Sequence, residues 1–145
     1  MSMAPPRPGD QAARLAAVAG RGSVLVQAPA GSGKTTLLAQ RYLRLLATVD
    51  APERILALTF TRRAAEEMRE RVLAAIQAAS AADAAPGAAC PAGLNPETWA
   101  LAAAARRHLD ALGIDLEDSR LRIETIDSFN AWLAAQLPIT SGAPS

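Results

Sequence analysis

Ser23-Val24-Leu25-Val26-Gln27 runs straight into Ala28-Pro29-Ala30-Gly31-Ser32-Gly33-Lys34-Thr35. The first stretch is short, apolar and β-branched. Entering a glycine-rich turn, it reads as a buried parallel strand. The second matches the phosphate-binding pattern G-x-x-x-x-G-K-[ST], with alanine at its first position. Gly31 and Gly33 admit backbone angles that a side chain would forbid. Backbone N–H groups from about Gly31 to Thr35 would then point inward and wrap an anion. The helix that follows presents its positive end to the same anion. Lys34 can reach the β- and γ-phosphates of a nucleotide, and the Thr35 hydroxyl can ligate Mg²⁺.

Composition sharpens the case for Lys34. Alanine makes up about a quarter of the chain, and Lys34 is the only lysine among 15 basic residues. An Ala- and Arg-rich composition is what a GC-rich coding sequence produces. A lone lysine in that background is not a product of composition, and lysine and arginine are not interchangeable at a compact phosphate site.

Working outward, strands alternate with helices. Asp10 can N-cap a helix to about Ala19 with Leu15, Val18 and Ala19 on its apolar side. A helix from Lys34 to about Ala47 carries Leu37, Leu38, Leu45 and Leu46. Arg54 to Phe60 is a second strand, and Thr61 caps the helix after it. Residues 78–93 are low in complexity and read as a linker, drawn to 78–95. Asn95-Pro96 opens a helix of residues 96–112 ended by Gly113. Arg122 to Ile126 is a third strand, and Asp127 can cap a last helix stopped by Pro138. Residues 1–9 and 139–145 read as a disordered N-terminus and a frayed tail. The expected class is α/β: a partial parallel sheet flanked by helices, with a helical insertion.

The 145 residues suit one domain, enough to bury roughly 70% of the unfolded surface. No apolar run reaches the ~20 residues of a membrane span. The N-terminal stretch lacks the apolar region of a secretory signal. A single cysteine, Cys90, excludes an internal disulfide framework and a cysteine-based zinc site. The expected setting is a reducing cytoplasm. A net charge of +1 does not advertise nucleic-acid binding, though it leaves room for a local basic patch.

Two further junctions carry chemistry. Thr59-Phe60-Thr61-Arg62-Arg63 places hydroxyls, an aromatic ring and two arginines where a strand becomes a helix, the ligand-binding edge of open α/β sheets. Arg62 and Arg63 suit phosphate contacts, and Phe60 could stack a base. Read alone, this favours an ordinary helix cap with solvated arginines and a core phenylalanine. Thr125-Ile126-Asp127-Ser128-Phe129 repeats the arrangement, and alone it too reads as a cap with a core phenylalanine. Gln11 carries a planar donor–acceptor pair that matches the N6 and N7 edge of adenine. Arg106-Arg107-His108 reads as a solvated face, and Trp99 and Trp132 as packing residues.

In this order the segments resemble the start of a UvrD/Rep-like superfamily 1 DNA helicase, particularly the RecB/AddA type of helicase–nuclease. They are Gln11, APAGSGKTT (28–36), ILALTFTRRAAEEMRERV (55–72) and IETIDSFNAWLAAQLP (123–138), and they span almost the whole chain. The resemblance implies a RecA-like P-loop domain over residues 10–138. Gln11 would read adenine. Ala28, Pro29, Ala30, Gly31, Ser32, Gly33, Lys34, Thr35 and Thr36 would hold ATP, with Mg²⁺ on Thr35. Thr59 to Arg63, with Thr125, Ser128 and Phe129, would contact single-stranded DNA. The family couples ATP hydrolysis to 3′-to-5′ movement, often in recombination and repair. Expected partners are DNA and the rest of a helicase chain or a helicase–nuclease subunit, with no membrane. Arg62-Arg63 replaces a common Asn-Lys, and Asp127 stands where histidine is common. After residue 129 the sequence carries no acidic Walker B run, so this chain alone is expected to bind nucleotide weakly and hydrolyse it negligibly. The other readings are a different P-loop enzyme, such as a small kinase, and a non-catalytic remnant.

Overall fold

The computed structural model describes residues 8–27, 31, 33–82 and 89–137. Within them the chain forms α1 (Pro8–Ala19), α2 (Lys34–Leu46), β1 (Leu56–Thr59), α3 (Arg62–Ala82), α4 (Pro96–Ala111), β2 (Arg122–Thr125) and α5 (Ile126–Gln136). Single 3₁₀ turns at Pro52–Arg54 and Asp118–Arg120 lead into the two strands.

β1 and β2 pair in parallel, Leu56 opposite Arg122 through Thr59 opposite Thr125. Parallel pairing requires a long crossover, and α3 and α4 provide it. Ile123 and Thr125 are buried on the sheet face toward α3. There Arg69 of α3 donates from Nη2 to the Ile123 carbonyl at 2.7 Å and pairs with Asp118 at 3.2 Å. Before each strand, Arg120 grips Glu53 through two hydrogen bonds, of 2.6 and 3.2 Å. These bonds hold the Glu53 carboxyl below its ordinary range.

The core is a contact of helices. Leu43 and Leu46 of α2 meet Val72 and Ile76 of α3. Ala75 and Ala79 of α3 are buried in the same cluster as Ala102, Ala103 and Ala105 of α4. Alanine side chains let two helix backbones approach closely. The alanine excess therefore has a structural use here besides any coding bias. α4, expected as an insertion, is embedded in this core. Its start is capped as the sequence predicts: the Asn95 side chain accepts from the Glu97 and Thr98 backbone.

Tyr42, the only tyrosine, sits in the same core, and burial raises its phenol from 10.0 to about 12. The proton is held more tightly when folded than when unfolded. Stability is therefore full below pH 10 and falls as pH rises through 12. Phenolate absorbance should show one transition near 12 in the native protein and near 10 in denaturant. A native midpoint near 10 would refute the burial.

Several expectations need correcting. Ser23–Gln27 is not a strand. It pairs with no strand among the described residues, and Leu25 is 85% exposed. An apolar run can line a sheet only where a neighbour offers backbone partners. α1 begins at Pro8, so Asp10 lies in its first turn and not at its cap. Its buried residues are Ala17 and Val18, while Leu15 and Ala19 are exposed. On α2, Leu38 and Leu45 face out while Tyr42 and Leu43 face in. α3 continues to Ala82, into the stretch read as linker. α5 is capped by Thr125, whose side chain accepts from the Ser128 N–H, and not by Asp127. No described helix is long and apolar enough to cross a membrane.

Candidate functional site

The turn before α2 is where sequence and geometry meet. Gly31 and Gly33 have φ of 79° and 87°, values that side-chain-bearing residues rarely adopt. Gly33 is the N-cap of α2, and its carbonyl accepts the first helical bond from Leu37 at 3.0 Å. Lys34 is therefore the first residue of the helix, at its positive end. Ala28, Pro29, Ala30 and Ser32 lie outside the described residues.

An open cavity of about 750 Å³ borders this turn, between α1, the extended 23–27 segment and the start of α2. Its walls include Asp10, Arg14, Val24, Gln27, Gly33 and Lys34. The size suits a small-molecule ligand. Arg14 lies close by: a Cβ added at Gly33 would stand 3.2 Å from both of its terminal nitrogens. Sequence reading missed Arg14, although its position three residues after Gln11 on one helix was the available signal.

Two arginines tie neighbouring elements together near the turn. Arg41 of α2 donates to the carbonyls of Ala17, Gly20 and Gly22, closing the C-terminal end of α1 with a positive charge. Arg71 of α3 donates to the Thr36 hydroxyl at 3.1 Å. Thr36 is thus engaged by α3. Gln11 does not line the cavity wall. Its Nε2 donates to Glu97 Oε1 of α4 at 2.9 Å. Nearby, Gln40 of α2 donates to Thr98 at 3.0 Å, and Leu101 packs against Ala17, Val18 and Leu37. The helix read as an insertion therefore buttresses α1.

The second region is the carboxyl edge of the sheet. Because Thr59 pairs with Thr125, two segments about 65 residues apart in sequence end side by side there. Thr59 Oγ1 donates to the Thr61 carbonyl at 3.0 Å, and Thr61 Oγ1 caps α3 by accepting from the Ala64 N–H. Thr125 Oγ1 also donates to Ser128 Oγ at 2.9 Å. Both helix N-termini open on this edge. Phe60 is 89% exposed. Arg62 and Arg63 are exposed, and Arg63 makes an i,i+4 pair with Glu67 at 3.3 Å. Phe129 instead stacks on Trp132, ring centres 5.9 Å apart, and Arg122 lies 4.6 Å over the Trp132 ring. Phe129 is thus partly spent on an internal stack, and Trp132 is a half-exposed member of it.

Elsewhere the expected solvated face holds one internal contact: His108 Nε2 lies 2.7 Å from the Val49 carbonyl, and Arg106 pairs with Asp110. No cluster of metal-ligating side chains occurs among the described residues.

The described residues thus combine a two-stranded parallel sheet, with two hydroxyl-bearing strand-to-helix junctions on its carboxyl edge, and a left-handed glycine turn that opens a helix at lysine. The chain belongs to the UvrD/REP helicase N-terminal domain family, whose profile matches residues 10–139. It is 40% identical over 124 residues to one subunit of the ATP-dependent helicase/nuclease of Moorella thermoacetica, covering 83% of this chain and 7% of that protein. It is 52% identical over 54 residues to the ATP-dependent DNA helicase PcrA of Leuconostoc citreum, covering 37% of this chain and 7% of that protein. With DNA helicase IV of Escherichia coli it shares 53% identity over 66 residues, 45% of this chain and 10% of that one. The chain thus spans a tenth or less of these relatives. No solved structure matches it.

Proposed function

We propose that this chain is the nucleotide-binding, DNA-contacting N-terminal part of an ATP-dependent DNA helicase. The observation that carries the reading is the start of α2: left-handed Gly33, then Lys34, beside a cavity of about 750 Å³. The residues fit ATP–Mg²⁺. The glycine turn would cradle phosphates with backbone N–H groups, Lys34 would pair with them, and Thr35 would hold the metal. Bound ATP supplies the phosphoanhydride bond whose cleavage drives movement. The chain's own residues position it, and the rest of a helicase chain or a partner subunit completes the chemistry. We take movement to be 3′-to-5′ and the setting to be cytoplasmic repair or recombination, by resemblance to the family.

Single-stranded DNA would lie along the carboxyl edge of the sheet. Phe60 offers a face for a base, and Arg62 and Arg63 offer charge to the backbone. The Arg63–Glu67 pair is exposed, so it holds Arg63 by only ~0–1 kcal/mol. Anisotropy titrations of a fluorescent oligothymidylate test this. Arg62→Ala with Arg63→Ala should weaken binding and lower the salt slope by about 0.7 per lost phosphate contact. An unchanged slope would remove these arginines from the DNA interface.

A further inference from the structure

Arg14 of α1 is half-buried and lines the cavity with Gly33 and Lys34. Its placement follows from the helix. Residues three and four apart share a helix face, so Arg14 stands on the face of Ala17 and Val18, which packs on Leu37 of α2. Leu15, one residue on, is exposed. At the far end of α1, Arg41 of α2 donates to the carbonyls of Ala17 and Gly20. α1 is thus tied to α2 along the face that carries Arg14.

The guanidinium meets the turn end-on. From the point where a Cβ of Gly33 would stand, its two terminal nitrogens are each 3.2 Å away and Cζ is 3.6 Å away. Two nitrogens at equal distance and nearer than the carbon mean that the fork faces the turn, not the flat side. That fork is the part of arginine that pairs with two oxygens of one phosphate. Three positive features therefore converge on the turn: the Arg14 fork, Lys34 and the N-terminal end of α2. α2 has no acidic residue in its first turn to offset them. Among the described residues lining the cavity, Asp10 is the only carboxylate against the two cations. Positive charge beside a helix N-terminus is unfavourable, and an anion seated in the turn relieves it.

We propose that Arg14 is a second cation of the phosphate site, its fork pairing with the phosphate that the glycine turn cradles, alongside Lys34. The proposal rests on the nucleotide reading above. α1 then serves the site with charge as well as with packing.

The test uses the 145-residue chain and fluorescent (N-methylanthraniloyl) ADP, titrated at low and at high NaCl. Arg14→Met keeps the apolar stem and removes the charge. It should weaken ADP binding about tenfold at low salt, and by less at high salt, where the lost attraction was already screened. Arg14→Lys keeps a charge without the fork, so it should restore part of the affinity and the wild-type salt dependence. Arg107→Met removes the same net charge from an exposed position on α4 and should change neither. The proposal is overturned if Arg14→Met binds ADP as the wild type does, or no more weakly than Arg107→Met. It is equally overturned if the loss is the same at low and high salt, as a purely structural role would give. Should Arg14→Met fail to fold by circular dichroism, Arg14→Gln replaces it with the same two expectations. Failure of the nucleotide reading looks different: the wild type binds no ADP, or Lys34→Ala leaves its binding intact.

Discussion

Lys34→Ala should weaken binding of ADP or ATP by this chain about 10- to 100-fold, the equivalent of losing ~1.5–3 kcal/mol of charge-assisted hydrogen bonding. The side chain stands at the first residue of α2, exposed, on the wall of the cavity. Nothing in the sequence can substitute for it as an ammonium, because it is the only lysine. Lys34→Arg should rescue poorly, since a planar guanidinium does not reproduce a compact point charge. The fold should be untouched, because the side chain is not part of the core. Titration calorimetry with and without Mg²⁺ reads the loss, and circular dichroism checks the fold. ATP turnover by this chain should be negligible, because phosphoryl transfer needs metal holding, water orientation and charge stabilisation together. Robust turnover abolished by Lys34→Ala would show that these 145 residues already contain all three.

Leu43→Ala should lower unfolding stability by about 2–5 kcal/mol, the cost of lost burial plus a cavity. Leu43 is fully buried where α2 joins the cluster formed with α3 and α4. The loss is a large part of the ~5–15 kcal/mol that holds an ordinary domain together. Urea denaturation should show a lower midpoint at an unchanged slope. Leu38→Ala is the control: Leu38 is 53% exposed, so its effect should stay within about 0.5 kcal/mol. Equal losses at the two positions would mean that α2 is rotated from the orientation described.

That pair of leucines also marks where sequence reading ends. Two apolar positions of one helix are equivalent by hydropathy, and only the placement of α3 and α4 decides which faces inward. The helices themselves were legible, because Asn95-Pro96, Thr61 and the Gly33-Lys34 step are local devices acting through bonds only a few residues long. Ser23–Gln27 was misread for the opposite reason. Its residues favour a strand, but a strand is completed by a partner's backbone, which no local pattern encodes.

The candidate site divides the same way. Lys34, Thr35 and the glycine angles follow from a short contiguous motif, so the sequence by itself determined the left-handed turn and put Lys34 at the start of a helix. It also determined that Thr61 caps a helix and leaves Arg62 and Arg63 at its start. Only the tertiary structure decided that Thr59 and Thr125 end on one edge, that Arg14 lies against Gly33, and that Glu97 holds Gln11. Each is a meeting of residues far apart in the chain. Such meetings are set by parallel register and helix packing, which depend on the whole set of buried contacts and not on any single segment.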